Sequence, residues 1–327
     1  MEYTTLGDTG LTVSRICLGC MSFGVTGDRW TLTRDESEEI IERAIDLGIN
    51  FFDTANVYTG GESETVLGDV LAEYERDEQV VATKVYGSMD DDNPNASGLS
   101  RKAIEQELKN SLDRLGMETI DLYQTHRWDY DTPVEETLRT LTDAVRRGQV
   151  RYIGASSMWA YQFGSALHTS EQQGLEQFVS MQNHYNAVYR EEEREMLPLC
   201  VENGIGVIPW SPLARGYLAR PHADYTSTER GMHDADSRQD RLEAYRSRGG
   251  DEINERIEEL AEQKDVSMAQ IAIAWQLHRP EVTAPILGVS NLSHLEDAVE
   301  AVEVSLSPDD MSYIEEPYQP VPVTGHE

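Results

Sequence analysis

The chain has 327 residues, of which 60 are acidic and 27 are basic, so its formal net charge is -33. That length is enough for a large hydrophobic core. So negative a protein is not expected to bind nucleic acid or an anionic membrane, because both are polyanions. No long acidic block is present, so we expect the charge to cover the surface of a folded domain rather than a disordered tail.

Lysine is rare among the basic residues. The 27 basic residues include only Lys84, Lys102, Lys109 and Lys264, and the other 23 are arginines. An acidic, lysine-poor surface resembles that of proteins from a high-salt cytoplasm, where salt screens the self-repulsion. We therefore expect a halophilic archaeon or bacterium as the source.

The cellular compartment is predicted from what the sequence lacks. The first residues contain neither the basic nor the apolar segment of a signal peptide. No apolar run reaches the ~18 residues needed to span a bilayer. Three cysteines, Cys17, Cys20 and Cys200, cannot form a disulfide framework, and no second ligand pair accompanies Cys17-x-x-Cys20 for zinc. We expect a cytoplasmic protein without a metal site, in which Cys17 is a small core residue.

Short apolar runs alternate with amphipathic helical stretches after a predicted hairpin of residues 3–6 and 11–13. The predicted strands are residues 16–18, 50–53, 79–84, 120–126, 150–155, 178–183, 205–211 and 284–287.

Capping boxes predict three helix starts, because a serine or threonine precedes a glutamate by three residues. The pairs are Thr33 with Glu36, Thr132 with Glu135, and Ser293 with Glu296. Pro133 is expected at a first helical position. The glycines predicted to end helices are Gly48, Gly148 and Gly204.

Eight β–α repeats with buried strands indicate a parallel sheet. A closed (β/α)8 TIM barrel needs about 250 residues. The excess is assigned to a lid or cofactor clamp at about residues 213–250, after the seventh strand, and to a mobile tail at 317–327. An open doubly wound sheet would need a Gly-x-Gly-x-x-Gly turn for a dinucleotide, which the chain lacks. We predict a single α/β domain over residues 1–327.

Four ionisable residues map to one mouth of this barrel, where strand ends and βα loops meet. Tyr58 is the natural proton donor, because a phenol with a pKa near ~10 keeps its proton at neutral pH. Lys84 is expected to lower that pKa and Asp53 to pair with Lys84. His126 is expected to hydrogen-bond the substrate oxygen. Such a site suits reduction of a carbonyl, with hydride at carbon and a proton from Tyr58 at oxygen.

Each of these residues also has an ordinary structural interpretation. A strand-end aspartate often caps a helix or turn, a tyrosine packs, a lysine is solvated and a histidine sits in the core. The coincidence of all four at one mouth, in a chain with so few lysines, favours the catalytic interpretation.

Several segments resemble the signatures of the aldo-keto reductases, in the order found in that family. They are residues 48–58, 64–68, 124–129, 154–157, 182–185 and 210–213. The resemblance covers about residues 3–315. It implies a (β/α)8 barrel that binds a nicotinamide cofactor without a Rossmann motif. It also implies a catalytic tetrad of Tyr58, Asp53, Lys84 and His126.

The resemblance further implies how the nicotinamide half of the cofactor binds. Ser156, Ser157 and Gln182 would hold the carboxamide, although Ser157 departs from the asparagine or arginine often found there. Trp210 would stack on the ring. The residues expected at the pyrophosphate are Ser211 and Leu213.

The segment 288–297 resembles the adenosine-binding loop, which gives Gly288, Ser290, His294 and Asp297 as cofactor residues. Gly288 and His294 stand where NADP-preferring members commonly carry lysine and arginine. The lid residues expected to substitute are Arg215, Arg220 or Arg230. NADPH is the favoured cofactor and NADH the alternative.

The expected partner is a small-molecule aldehyde, ketone or sugar. Trp30, Tyr86, Arg127 and Trp128 are candidate substrate residues at the mouth. Two other functions stay open. One is a lyase or aldolase that uses Lys84 as a Schiff base, and the other is a cofactor-binding regulatory module similar to channel β-subunits.

Overall fold

The computed structural model describes residues 1–24, 31–225 and 241–320. An antiparallel hairpin of β1 (Tyr3–Thr5) and β2 (Thr12–Ser14) precedes an eight-stranded parallel sheet. The strands of that sheet are β3 (Cys17–Gly19), β4 (Phe51–Asp53), β5 (Val80–Val85), β6 (Ile120–Thr125), β7 (Val150–Ser156), β8 (Phe178–Gln182), β9 (Gly206–Val207) and β10 (Ile286–Gly288).

The sheet closes into a barrel. Strands β3 to β9 pair in sequence order, and β10 pairs with β3 at the other edge. Two backbone hydrogen bonds join the β9 and β10 edges, from Thr283 N to Val207 O at 2.8 Å and from Ile286 N to Pro209 O at 2.9 Å. The predicted (β/α)8 barrel with an N-terminal hairpin is confirmed.

Helices surround the barrel in the part of the chain that the structure describes. They are α1 (Arg34–Asp46), α2 (Glu62–Leu71), α3 (Arg101–Leu115), α4 (Val134–Arg146), α5 (Ala160–Gln173), α6 (Met196–Glu202), α7 (His222–Tyr225), α8 (Arg241–Tyr245), α9 (Asp251–Lys264), α10 (Met268–Leu277), α11 (Leu292–Glu300) and α12 (Pro308–Glu315).

One of the three predicted capping boxes forms. Thr33 caps α1 with Glu36 in the reciprocal arrangement. The prediction at Thr132 is wrong, because Pro133 is the residue that precedes α4 and the Thr132 hydroxyl donates to Asp129 instead. The prediction at Ser293 is also wrong, because α11 begins two residues earlier, behind Asn291.

Asn291 displaces Ser293 as the cap because its side-chain oxygen accepts from the backbone N–H of His294. The glycines predicted to end helices, Gly48, Gly148 and Gly204, have φ of 85°, 74° and 65°. Those values lie in the left-handed region that favours glycine.

The core has two layers, one on each face of the sheet. Inward-facing residues, among them Phe51, Ala82 and Leu122, fill the barrel interior. Leu6 and Val13 of the hairpin belong to the same interior cluster, so the hairpin closes the barrel end opposite the strand C-termini. Outward-facing residues pack under the helices. Because side chains alternate along a strand, this pattern determines which residues of β4, β5 and β6 reach the mouth.

The lid and tail predictions fall partly outside the described residues, as do Trp30 and Arg230. Of the lid, residues 213–225 and 241–250 are described. Of the tail, residues 317–320 are described, and the Tyr318 hydroxyl accepts from the backbone N–H of Arg190 at 2.8 Å. Within the described ranges, no helix has both the length and the apolar character needed to cross a membrane.

Candidate active site

A cavity of about 1050 Å³ opens at the C-terminal end of the barrel strands. It is lined by strand ends, by the loops that follow them and by the start of the lid. The predicted site residues that line it are Asp53, Tyr58, His126, Arg127, Ser156, Gln182, Trp210, Ser211, Leu213, Arg215, Arg220, Gly288, Ser290, His294 and Asp297.

Strand alternation places Asp53 and Lys84 inside the barrel. Phe51 and Ala82 face the interior, so Asp53 and Lys84, two residues further along β4 and β5, face it as well. The Lys84 ammonium is fully buried and lies 2.6 Å from Asp53 Oδ1. The two side chains therefore form a buried ion pair at the floor of the cavity, which Asp53 lines.

The Lys84 ammonium uses all of its hydrogen-bonding capacity. It donates to Asp53, to the Thr54 carbonyl oxygen at 2.8 Å and to the Tyr58 hydroxyl at 3.1 Å. An ammonium has three N–H donors, and each has an acceptor here. Burial disfavours the charged amine, but Asp53 and Tyr58 outweigh that effect and raise the pKa of Lys84. Lys84 is therefore a charged hydrogen-bond donor to Tyr58.

Tyr58 stands at the boundary between the buried ion pair and the cavity. It is partly exposed and lines the cavity, and its ring also lies 4.7 Å below the Lys84 ammonium. Because the hydroxyl oxygen accepts from Lys84, its own hydrogen remains available for an acceptor in the cavity. This is the arrangement expected of a proton donor.

The pKa of Tyr58 depends on burial as well as on the charges of Lys84 and Asp53. Burial raises the pKa of Tyr58 above its usual value, and the Asp53 carboxylate adds to that rise. Lys84 acts in the expected direction, since it lowers the pKa of Tyr58, but its effect is smaller than that of burial. The effect predicted for Lys84 is therefore present, but burial outweighs it, and the phenol keeps its proton at neutral pH.

His126 lies across the cavity floor from Tyr58, with the ring centroids 5.7 Å apart and nearly perpendicular. Burial, together with the positive charges of Lys84 and Arg127, lowers the pKa of His126 well below its usual value. The imidazole is therefore neutral at physiological pH. A neutral ring has one N–H donor, which is enough for one hydrogen bond to a substrate oxygen.

Two buried glutamines complete the surroundings of Asp53. Gln124 Nε2 and Gln182 Nε2 donate to Asp53 Oδ2 at 2.9 and 2.8 Å. The sequence interpretation missed Gln124, although its place two residues before His126 on an alternating strand was a signal that both face inward. Gln182 was predicted to hold the nicotinamide, and its amide nitrogen contacts Asp53 instead, so its carbonyl oxygen is the group that remains for a ligand.

Trp210 is held in place by two contacts. Its indole N–H donates to Ser157 Oγ at 3.2 Å, and its ring stacks on His184 with centroids 4.3 Å apart. Ser157 does not line the cavity, so in this structure it acts behind Trp210. His184 stacks in turn on Tyr189 at 4.2 Å. The stacked rings of Tyr189 and His184 therefore support Trp210, whose ring forms a flat wall of the cavity.

The far end of the cavity is formed by the start of α11 and by the lid. Ser290 Oγ lies 3.0 Å from His294 Nδ1. Burial and the charge of Arg220 lower the pKa of His294, while Asp297 opposes that change. Arg220 Nε has no hydrogen-bond partner in the described part of the chain. A cationic group is therefore available beside His294.

Two candidate substrate residues, Trp128 and Tyr86, are not among the described residues that line this cavity. Trp128 packs against the core and lines a separate small void with Leu99. Tyr86 is partly buried against the same core. The cavity is also lined by residues that the sequence interpretation missed, namely Gly19 at the end of β3 and Met21, Ser22 and Leu32 between β3 and α1. No sequence motif marked them, because small and apolar residues acquire this role only through the closure of the barrel.

Among the described residues, no group of three or more histidines, cysteines or acids is placed to hold a metal ion. All three cysteines are free and buried. Cys17 belongs to the barrel-interior cluster, as expected of a small core residue.

Comparisons with known proteins agree with this geometry. A sequence model described as the Aldo/keto reductase family matches residues 15–319. A versiconal hemiacetal acetate reductase of Aspergillus parasiticus is 43% identical, over 98% of each chain. A putative aryl-alcohol dehydrogenase of Schizosaccharomyces pombe is also 43% identical, over 99% of this chain and 97% of its own. An aldo-keto reductase of Metarhizium robertsii is 41% identical, over 100% of this chain and 93% of its own.

The family match spans the barrel from β3 to the segment after α12, and the relatives are similar to this chain over nearly its whole length. The chain therefore belongs to the aldo/keto reductase family.

Proposed function

We propose that the protein is an NAD(P)H-dependent reductase that converts an aldehyde, ketone or sugar carbonyl into the alcohol, reversibly, with Tyr58 as the proton donor. The observation that carries this proposal is the hydrogen bonding of Lys84. Its three donors are taken by Asp53, Thr54 and Tyr58, so the ammonium polarises a phenol that lines the cavity and keeps its own hydrogen for another acceptor.

Each residue of the site would have its own role in the proposed reduction. Tyr58 passes its proton to the carbonyl oxygen as negative charge develops there. Lys84, 3.1 Å away, stabilises the phenolate that results. His126, neutral at physiological pH, donates a second hydrogen bond to the same oxygen. Asp53 holds Lys84 in place and is held itself by Gln124 and Gln182.

The cavity has the features needed for a nicotinamide dinucleotide. It is lined by residues from Asp53 and Tyr58 to the start of α11, has Trp210 as a flat wall and is also lined by Ser156 and Gln182. When bound, the reduced cofactor supplies the hydride. Ser211 and Leu213 would meet its pyrophosphate, and Gly288, Ser290, His294 and Asp297 its adenosine end.

We favour NADPH over NADH as the cofactor. The observation that supports this choice is Arg220, which lines the cavity beside Ser290 and His294 and has a guanidinium nitrogen without a partner in the described residues. A guanidinium suits a phosphate because its planar donors match the phosphate oxygens. Arg220 would replace the basic residues that are absent at Gly288 and His294.

The Schiff-base alternative receives no support from Lys84. A Schiff-base lysine must be a neutral, accessible amine in the attacking step. Lys84 is fully buried, its donors are all engaged, and Asp53 and Tyr58 raise its pKa. Borohydride trapping of a substrate on Lys84 would nevertheless be the direct support for that reaction.

The deciding experiment follows the oxidation of NADPH and NADH with aldehydes, ketones and sugars. Aromatic aldehydes are included because one relative is named as a putative aryl-alcohol dehydrogenase. Assays are run in molar KCl, because we also propose the cytoplasm of a halophile as the setting. We expect Tyr58→Phe to lose at least about 100-fold in kcat, in line with the loss of a general acid, and to bind NADPH normally.

Tyr152→Phe is the matched control, because Tyr152 packs against the barrel interior cluster away from the cavity. It should keep the kcat of the unmodified protein. Full activity of Tyr58→Phe would refute the proton-donor assignment. Tight NADPH binding without turnover of any carbonyl would instead favour the regulatory module.

A further inference from the structure

A buried polar cluster lies behind the barrel wall, between β5 and the helices α2 and α3. Its acidic members are Glu64, which is fully buried, and Glu107, which is 4% exposed. Arg114 Nε donates to Glu64 Oε2 at 2.6 Å, and Arg114 Nη2 lies 3.5 Å from Glu107 Oε2. One arginine therefore serves two buried carboxylates.

This cluster contacts the chain on each side of the proton donor. Asn56 Nδ2 donates to Glu107 Oε2 at 3.0 Å, two residues before Tyr58. Glu64 lies in the first turn of α2, directly after the Tyr58 loop. Its Oε1 accepts from the Thr83 hydroxyl at 2.5 Å, and Thr83 is the neighbour of Lys84 in β5. The cluster thus joins the Tyr58 loop, on both sides, to the strand that carries Lys84.

The Tyr58 loop needs such support because its backbone is strained. Thr59 follows Tyr58 with a φ of 48°, in the left-handed region that a threonine rarely adopts. Conformations of this kind are costly and persist only when the surroundings hold them. The backbone N–H of Asn56 bonds Lys84 O at 3.2 Å, and the Thr59 hydroxyl bonds Phe23 O at 2.6 Å. The Asn56 side chain adds the bond that ties this loop to α3.

Stability alone does not account for a cluster of this composition. Buried carboxylates are costly, and apolar residues of similar volume often stabilise a fold as well or better. The hydrogen bonds of a polar cluster do have fixed directions and lengths. Here these bonds fix residues close to Tyr58 and Lys84 in the chain, and the Tyr58 hydroxyl lies 3.1 Å from the Lys84 ammonium.

We propose that Asn56, Glu107, Arg114 and Glu64 are positioning residues that hold the Tyr58 hydroxyl at the Lys84 ammonium from behind the barrel wall. This inference rests on the proposed function, since it concerns the geometry of the same proton transfer. None of the four lines the cavity, so they act through the Tyr58 loop and not on substrate or cofactor.

The test uses the full chain with NADPH and the best carbonyl substrate. Asn56→Asp places a carboxylate against Glu107 and should lower kcat about 10- to 100-fold, the scale of loss for a slightly misplaced catalytic group. The NADPH Kd should change less than about twofold, because the cofactor residues are untouched. In the double variant Asn56→Asp with Glu107→Gln, the amide of residue 107 donates to the carboxylate of residue 56, so the bond is restored with its direction reversed. We expect kcat to recover at least about 10-fold.

Asp121→Asn is the control for a disturbed buried ion pair elsewhere in the barrel wall. Asp121 is buried on β6 and paired with Arg76 at 2.6 Å, on the barrel wall but away from the cavity. It should lower the melting temperature and leave kcat unchanged. A kcat for Asn56→Asp within twofold of the unmodified protein would overturn the inference. So would a double variant that recovers thermal stability but not kcat.

Tyr58→Phe in the same assay separates the two proposals. If Tyr58→Phe is inactive while Asn56→Asp is fully active, only the positioning inference fails. If Tyr58→Phe is fully active, the proposed function fails first.

Discussion

Removing one charged group of the Asp53–Lys84 pair should lower the free energy of unfolding more than removing both groups together. Lys84→Met deletes the ammonium and leaves Asp53, which is only 2% exposed, without its charged partner. Asp53→Asn deletes the carboxylate and leaves a fully buried ammonium. In the double variant neither charge remains, and no uncompensated charge is buried.

The magnitude follows from the partners that each group keeps. Removing one member of a buried ion pair costs about 3–5 kcal/mol. Lys84→Met should fall near the lower end, about 3 kcal/mol, because Gln124 and Gln182 still donate to Asp53. Asp53→Asn should cost about 3–4 kcal/mol, because Lys84 keeps Thr54 and Tyr58 as acceptors. We expect the double variant to lose about 2–4 kcal/mol in total, well below the sum of the single losses.

Urea unfolding in molar KCl, followed by tryptophan fluorescence and far-UV circular dichroism, measures these free energies. Coincident transitions by the two probes are required for a free energy to be assigned. Additive losses, with a coupling energy below about 0.5 kcal/mol, would show that the pair is not a coupled buried ion pair and would refute the reasoning. All three variants should have little reductase activity, so activity does not discriminate among them.

Three further predictions concern the cofactor, pH and salt. Arg220→Gln should raise the KM for NADPH about 10- to 100-fold, which corresponds to one charge-assisted hydrogen bond. The KM for NADH should stay within about twofold. Equal effects on both KM values would refute a role of Arg220 in binding the 2′-phosphate, the group that distinguishes NADPH from NADH. Because the pKa of His126 is lowered on folding, the unfolded chain takes up a proton below pH ~6.5 that the folded chain does not. The free energy of unfolding should therefore fall as pH decreases from ~6.5, and His126 should contribute up to about 1.4 kcal/mol of this loss per pH unit. His126→Gln should remove the contribution of His126, which urea titrations at pH 6.5 and 5.5 measure. With a net charge of -33, the melting temperature should rise between 0.1 and 2 M KCl as self-repulsion is screened; a flat or falling curve would contradict the halophilic interpretation.

The barrel was predictable because its signals are local and repeated. Each strand is a short apolar run bounded by turn residues, and eight such runs leave few topologies. The caps were less predictable. Thr132 and Ser293 match the capping-box pattern, but a neighbouring Pro133 and Asn291 take the position before the helix. The three-residue spacing of a capping box does not show which of several neighbouring residues takes the position before the helix.

The meeting of Asp53 and Lys84 was predictable for a related reason, since alternation along a strand and the end of an apolar run give the direction of a side chain. The direction of the net shift in the Tyr58 pKa was not predictable from the sequence, because it depends on how the effect of burial compares with the effect of nearby charges. The same limit applies to Tyr86 and Trp128. Both lie two residues beyond a tetrad member, but they follow the ends of β5 and β6, where strand alternation no longer determines side-chain direction.

Lys84 is one of four lysines in a chain with 23 arginines, and its surroundings explain why arginine would not replace it. Its three acceptors, Asp53 Oδ1, Thr54 O and Tyr58 Oη, lie around one nitrogen at 2.6, 2.8 and 3.1 Å. An ammonium is a compact charge with three donors on one atom, whereas a guanidinium spreads five donors over a planar fork. A guanidinium in this closed space would contact the carboxylate or the phenol, but not both together with the carbonyl. We therefore propose different causes for the scarcity of lysine in the chain and for the presence of this buried lysine: the first concerns the salt in the solvent, and the second concerns the proton of Tyr58.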